Sequence, residues 1–395
     1  MAWKEVKVLE QRKLFIIDYL SNNYNISQLC RIYGISRPTA YLWIKRFEEK
    51  GELGLINQSP APHNQPFKTP DYIIDEILHL KCNKTNLGPK KIHAILSNKI
   101  PNSEMPSCTT VANILKRNGL VIPRKLRKRF AARSQPLAHV NEVNDVWSAD
   151  FKGWFITSDN YKCEPFTLTD NASRYLLKCT QLNSNNGDYV WGLLDIAFRE
   201  YGLPLFLRTD NGSPFATKGI GRLSTLSVKL IKAGVTPDFI DPGKPQQNGR
   251  HERMHGTLKR ECIDTKYSLK EQLKKFNEFQ EYFNYERPHE GINQATPASL
   301  YTPSTRIWDG KFKSPEYDDS YKKAKVEVTG QIKLNGQHLY VGRALAGEYI
   351  GLKKHENGFQ VYYGQMYLGE LSLSGKLSVE IREGRVRKKF KEQFY

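Results

Sequence analysis

The chain has 395 residues, and its 60 Lys and Arg against 41 Asp and Glu leave a formal net charge of +19. So large an excess points to a polyanionic partner, while a hydrophobic content of 39% excludes a wholly disordered chain. Apolar runs such as Leu14–Ile17 fall far short of the roughly 18 residues of a bilayer span, and six scattered cysteines without a C-x-x-C pair exclude an ordinary cysteine zinc finger. The first residues carry no apolar signal segment, so the expectation is a cytoplasmic, multidomain protein with no membrane contact.

Residues 1–54 read as a helix-turn-helix unit. Ile26, Leu29, Cys30 and Tyr33 recur on one face of a short helix, and Gly34-Ile35-Ser36 makes a tight turn. Ser36 is placed to cap the next helix, with Pro38 in its first turn where a missing N–H costs little. Ala40, Trp43, Ile44 and Phe47 form that helix's apolar stripe, and Thr39, Tyr41, Lys45 and Arg46 its polar, basic face. Residues 55–69, with Pro60, Pro62 and Pro66, read as an extended linker. A second helix-turn-helix unit is expected over 70–122. Its last helix is capped by Ser107 and closed by Gly119, with Thr109, Thr110, Asn113, Lys116 and Arg117 outside. The linker 123–143 carries Arg124, Lys125, Arg127, Lys128 and Arg129, a charge run that suits either a solvated segment or a strap along a phosphate backbone.

From residue 144 the period changes. Three β-rich runs, Val146–Thr157, Cys163–Thr169 and Tyr175–Leu182, precede alternating helices and strands as far as residue 300, which predicts a mixed α/β domain. Residues 301–324 read as a linker, 325–380 as a small antiparallel β-barrel with Asn-Gly and Gly turns, and 381–395 as a basic tail.

Three carboxylates stand out in the α/β domain. Asp150 lies in its first strand, Asp210 ends its fourth, and Glu252 sits on the helix after the last strand. If the two strands are sheet neighbours and the helix crosses their edge, the three converge. Like charges oppose joint ionisation, so such a cluster calls for cations. Magnesium suits oxygen ligands, and two such ions can clamp a phosphodiester for in-line displacement. Lys259, two helical turns after Glu252, shares its face and could hold a phosphate.

Four stretches carry a resemblance. They are Trp147-Ser-Ala-Asp150, Thr209-Asp210-Asn211-Gly212, the run Asn248–Glu261 with Glu252 and Lys259, and Tyr282-Phe-Asn-Tyr-Glu-Arg287-Pro288-His289 followed by Thr296-Pro297. In this order they resemble the insertion-sequence transposases with a retroviral-integrase-like core. The resemblance implies a ribonuclease-H-like fold and a D-D-E site at Asp150, Asp210 and Glu252 holding two Mg²⁺ or Mn²⁺ ions. It implies hydrolysis at transposon ends, then joining of the 3′-hydroxyl to target DNA. Partners would be double-stranded DNA and further copies of the chain on paired ends, in a bacterial cytoplasm at the nucleoid. Two departures are visible: a longer Asp210–Glu252 interval, suggesting an extended loop near Gly219–Ser227, and no His/Cys zinc domain ahead of the core.

Two other readings stand beside this one. The chain could be a DNA-binding regulator with an inactive core. His251-Glu252-Arg253-Met254-His255 also satisfies the H-E-x-x-H pattern of zinc metalloproteases, though the blander expectation for both histidines is polar helix residues beside DNA. Asp159 and Asp170 read as turn residues, and Cys163, Cys179 and Cys262 as packing residues.

Overall fold

The structure is a computed structural model and describes residues 8–57, 68–84, 86–121, 140–217, 220–241, 244–334, 336–355, 358–372 and 377–378. The charge run Arg124, Lys125, Arg127, Lys128 and Arg129, most of the proline-rich linker and the basic tail lie outside the described residues. The chain divides into two compact units, Met1–Lys68 and Thr69–Tyr395.

Among its described residues the first unit holds three α-helices: α1 (Val8–Leu20), α2 (Ile26–Tyr33) and α3 (Arg37–Lys50). A capping box starts α2, with Asn25 and Gln28 each accepting the other's backbone N–H at 2.9 Å. Gly34, at φ +62°, closes it in the left-handed region. Ser36 caps α3 by accepting from Thr39 N–H, as expected. Phe15, Ile16, Leu29, Ala40, Ile44 and Leu55 form the unit's buried core.

The second unit begins with another trihelical body: α4 (Asp71–Asn83), α5 (Pro89–Ser97) and α6 (Cys108–Arg117). Ile73, Ile77, Leu87, Ile92, Leu96, Val111, Ile114 and Leu115 close its core. Ser107 caps α6, and Gly119 follows it at φ +69°.

The α/β domain contains β1 (Val146–Phe151), the short pair β2 (Phe155–Ile156) and β3 (Lys162–Cys163), β4 (Pro165–Asp170) and β5 (Leu176–Gln181). Then come α7 (Gly187–Tyr201), β6 (Phe206–Thr209), α8 (Thr225–Lys232), β7 (Thr236–Phe239), α9 (Gly249–Glu261) and α10 (Leu269–Glu281). The single run expected over Val146–Thr157 is broken after Phe151, where Gly153 turns the chain at φ +83° and β2 leaves to pair with β3. The sheet order is β5-β4-β1-β6-β7. β4 pairs antiparallel with β1 and β5, and β6 pairs parallel with β1 and β7. Trp147, Phe166, Phe198 and Leu207 are fully buried in the main core. Cys163, Cys179 and Cys262 share an apolar cluster with Leu258 and Phe276, consistent with a packing role.

The stretch expected to be a linker, 301–324, is a packed strap. Leu203 N–H donates to Arg306 O at 2.8 Å, Trp308 is buried in the main core, and its indole N–H donates to Asp195 at 2.6 Å. Burying an aromatic ring against α7 is what a linker could not do. β8 (Tyr321–Lys325) starts inside this stretch.

The C-terminal region holds β9 (Gln331–Leu334), β10 (Gln337–Tyr340), β11 (Tyr349–His355), β12 (Gly358–Tyr363), β13 (Met366–Ser372) and β14 (Leu377–Ser378). An antiparallel sheet runs β14-β13-β12-β11-β8, with β9 and β10 as a separate ribbon. Among the described strands this sheet is open rather than closed into a barrel. Its apolar face is not self-contained either: Ile220, Leu223 and Val228, from between β6 and β7, share one cluster with Val326, Ile350, Val361 and Leu368. The long Asp210–Glu252 interval therefore has a packing role.

Candidate active site

Two strand ends and one helix assemble the candidate site. The parallel register Val146↔Phe206 to Ser148↔Arg208, carried on two residues, sets Asp150 beside Asp210. Asp150 is largely buried, and its carboxyl is pushed up to about 7, first by burial and then by the charges of Asp210 and Glu252. The carboxylates of Asp210 and Glu252 therefore each lie within electrostatic reach of Asp150. Asp210 accepts from Gly212 N–H at 3.0 Å, and a Cβ at Gly212 would meet its carboxylate at 3.0 Å, so the turn after β6 is tight by necessity. Asn211 donates to Ile240 O at 2.8 Å, and Arg222 donates to Asn211 at 2.8 Å, tying this turn to β7 and to the 220–222 segment.

The strand ends are locked from below by an ion pair that sequence reasoning missed. Arg208 is 2% exposed and reaches Asp238 on β7 through Nε at 2.7 Å and through Nη2. Its Nη1 also donates to Gln247 O, just ahead of α9. Register partners on adjacent parallel strands were the signal that could have found it.

Helix α9 lies with Glu252 and Lys259 exposed and with His251, Met254, His255 and Leu258 buried. The two histidines are not solvent-facing residues beside DNA, as expected from their polarity. They pack on β4, where Thr167 and Thr169 alternate inward. Thr167 Oγ1 lies 2.7 Å from Nε2 of both rings, and Thr169 Oγ1 lies 2.8 Å from Nδ1 of His251. Burial holds both imidazoles well below their ordinary pKa, that of His255 at about 3. Both nitrogens of His251 are thus occupied by threonine hydroxyls. That arrangement does not suit the H-E-x-x-H zinc reading, which needs a free nitrogen from each imidazole on the ion, with the glutamate beside it as general base.

Beside α9 stands a group of arginines that the sequence reading also missed. Arg174, at the turn after β4, and Arg250 both donate to Asn171 O. Burial, then the neighbouring charges of Arg250 and Arg253, lower Arg174 to about 10. Burial likewise lowers Arg250. None of the three is ion-paired among the described residues, and the nearby Glu290 is paired with Lys90 at 2.9 Å. Asp170 is no free counterion, since it accepts from Asn144 N–H, Ser173 N–H and Ser173 Oγ at 2.6–2.9 Å. Expected in a turn, it is instead the last residue of β4, its carboxylate capping the turn that follows, whereas Asp159 lies in a turn, as expected, and accepts from the Thr157 hydroxyl and from Leu269 N–H.

Of the sequence-based DNA contacts, Tyr41, Lys45, Thr109, Asn113, Lys116 and Arg117 are exposed on α3 and α6. Thr39 is half-buried and bonds the Ser36 hydroxyl at 2.8 Å. Arg46 departs from the expected outward face: its guanidinium lies 4.9 Å from the Trp43 ring, which Arg12 covers at 3.8 Å. Stacking on an aromatic face accounts for its partial burial.

The run that follows α10 is structural. Tyr282–Glu286 forms a π turn. Arg287 is buried and paired with Glu261 at the end of α9, and His289 bonds Phe283 O at 3.2 Å.

Residues 12–63 match a family model described as a helix-turn-helix domain. Residues 140–245 and 233–297 match two models, each described as an integrase core domain. An uncharacterised 31.7 kDa protein of insertion element IS407 from Burkholderia multivorans is 22% identical over 281 residues, covering 70% of this chain and 91% of that protein. The transposase for transposon Tn552 from Staphylococcus aureus is 21% identical, covering 92% of this chain and 82% of the relative. Among solved structures, the HTLV-2 integrase catalytic core domain in complex with magnesium matches at 15% identity and a TM-score of 0.32, covering 41% of this chain and 98% of that one. In its domain make-up the chain carries a helix-turn-helix domain ahead of an integrase core, and it is similar along most of its length to proteins of insertion elements and transposons.

Proposed function

We propose that the chain is a metal-dependent DNA transposase. It binds transposon terminal repeats, hydrolyses the phosphodiester at the ends, and joins the freed 3′-hydroxyl to target DNA. Asp150, Asp210 and Glu252 are its catalytic carboxylates and metal ligands. The observation that carries this reading is the parallel β1–β6 register, which brings Asp150 beside Asp210, with Glu252 close enough to raise the Asp150 pKa.

The donor set fits a hard divalent cation. Three carboxylates that resist joint ionisation gain most from one. Two Mg²⁺ or Mn²⁺ ions bound there would activate the attacking water or hydroxyl and stabilise the leaving oxygen. Lys259, exposed on the same face of α9 as Glu252, holds a DNA phosphate beside the carboxylates. Tyr41, Lys45, Thr109, Asn113, Lys116 and Arg117 face the terminal repeat from two recognition helices. Thr39 and Arg46 support the first of these, and Arg124, Lys125, Arg127, Lys128 and Arg129 track the backbone. Pairing two ends requires at least two copies of the chain. The bacterial nucleoid is where its substrate lies.

The test is a purified assay on end DNA with Mg²⁺. Asp150→Ala, Asp210→Ala and Glu252→Ala each abolish cleavage and strand transfer while end binding stays near wild type, because ligands of one metal cluster act as a unit. Normal strand transfer by Asp210→Ala would sink the assignment.

A further inference from the structure

The buried histidine pair under β4 has a hydrogen-bond arrangement that fixes where its protons sit. Thr167 Oγ1 has three close neighbours: Asp150 O at 3.1 Å, His251 Nε2 at 2.7 Å and His255 Nε2 at 2.7 Å. A hydroxyl offers one proton and two lone pairs. Asp150 O can only accept, so the hydroxyl proton goes there, and both Nε2 atoms must donate. A neutral imidazole carries one N–H, so both rings are Nε2–H tautomers with bare Nδ1 atoms. His251 Nδ1 accepts from the Thr169 hydroxyl at 2.8 Å. His255 Nδ1 has no such donor among the described residues. It faces Asp150 Oδ2 at 3.8 Å.

Two other arrangements exist. With Thr167 donating to His251 Nε2, the bond to Asp150 O is lost but His255 Nδ1 is still bare. The last has Thr167 donating to His255 Nε2. It forfeits the 3.1 Å bond to Asp150 O and aims an Nδ1–H at an oxygen beyond hydrogen-bond reach. The arrangement with both Nε2 atoms donating satisfies every short contact and leaves two acceptors, a lone pair and a carboxylate, pointed at one space. Two acceptors facing each other are unfavourable unless a cation or a donor lies between them. Ligand atoms on one first-row ion, with bonds of about 2.1 Å, stand roughly 3 to 4.2 Å apart, a span that includes the 3.8 Å separation.

We propose that His255 Nδ1 is a nitrogen ligand of the divalent ion held at Asp150, so that this metal position has mixed oxygen and nitrogen donors. The proposal rests on the transposase reading of the carboxylates and adds a ligand to it. Thr167 and Thr169 are then positioning residues: they set the tautomers, present the His255 lone pair and keep His251 out of the site. Imidazole favours manganese and later first-row ions over magnesium, so the ion at Asp150 is selected toward Mn²⁺.

The experiment uses the full chain with Mn²⁺ alone, without DNA. Calorimetry reads affinity, and pulsed electron paramagnetic resonance reads nitrogen coupled to the ion. The expected result is a directly bound ¹⁴N signal that becomes ¹⁵N when histidine alone is ¹⁵N-labelled. This arm needs no variant and so does not depend on one folding. His255→Asn should lose the signal and weaken Mn²⁺ binding about tenfold or more, while weakening Mg²⁺ binding less. His251→Asn should keep the signal. Mn²⁺ bound in an Asp150-dependent manner with no histidine nitrogen coupling would overturn the proposal and leave the carboxylate site standing. Mn²⁺ affinity unchanged in Asp150→Asn would instead remove the reading on which the proposal rests.

Discussion

Arg287 grips Glu261 at the C-terminal end of α9 through two hydrogen bonds, Nη2 to Oε1 at 2.7 Å and Nε to Oε2 at 3.2 Å. Both side chains are at most 10% exposed, and the planar fork matches the carboxylate. The pair fastens the far end of the helix whose near end carries Glu252. Arg287→Ala should destabilise the fold by about 3–5 kcal/mol, because it strands a buried carboxylate. Replacing both partners with apolar residues of similar volume should cost much less. Urea unfolding of the three proteins checks this, and equal losses in the single and double variants would refute it.

Asp150 gives the metal-free protein a signature in its pH dependence. Its folded pKa is about 7, against about 3.9 for an unperturbed aspartate. The folded protein therefore keeps a proton that the unfolded chain has released between those values. Stability from this group is full below about pH 4 and is lost as pH rises through 7. In metal-free buffer, Asp150→Asn should flatten the fall in melting temperature between about pH 5 and 8. Parallel curves for the two proteins would contradict the raised pKa.

The guanidinium group of Arg174, Arg250 and Arg253, without an ion-pair partner among the described residues, should contribute backbone contacts to DNA. Arg174→Gln or Arg253→Gln should weaken end and random DNA alike. Each should lower the slope of log affinity against log salt by about one unit per lost phosphate contact. For Arg253→Gln, at an exposed position of α9, the DNA-free protein should be no less stable, since the change removes like-charge repulsion. A lowered melting temperature with an unchanged salt slope would mean that the arginines serve packing only.

Base reading should separate from backbone binding. Tyr41→Ala and Asn113→Ala alter exposed faces of α3 and α6 and should narrow the affinity gap between end and random DNA by about 1–3 kcal/mol. Competition binding at fixed salt measures this gap. If both variants keep it, other residues read the repeat.

Trp308 should behave as a core residue despite its place in a proline- and lysine-rich stretch. Trp308→Ala should cost about 3–5 kcal/mol in a denaturant titration of the full chain. A change under about 0.5 kcal/mol would restore the linker reading.

The helices were legible because their signals are local. Ser36, Pro38 and Ser107 announce helix starts, and the apolar spacing around Ala40 and Ile44 gives the buried face. The carboxylates were legible because strand order in an α/β domain places strand ends together. What stayed hidden depends on pairs far apart in the chain. Arg208 and Asp238 meet only through the β6–β7 register, and Arg287 and Glu261 only through the packing of α9. His251 and His255 looked solvent-facing because polarity was the only guide to their side of the helix. The threonines that satisfy them lie more than 80 residues earlier. The strap at 301–324 was misread because its composition suggested solvent, and one tryptophan outweighed it.

Gly221 lies so close to Leu368 that a Cβ there would stand 2.5 Å from the leucine side chain. The next residue, Arg222, holds Asn211, the neighbour of Asp210. The C-terminal sheet is thus fitted against the segment that braces the candidate site, and both contribute to a single apolar cluster. This sets a limit on modularity. Recombination between related elements could exchange the first helical unit at a linker, but a crossover near residue 324 would split a shared interior. A foreign C-terminal region would have to arrive with a matching 220–231 segment or leave Ile220, Leu223 and Val228 open to water.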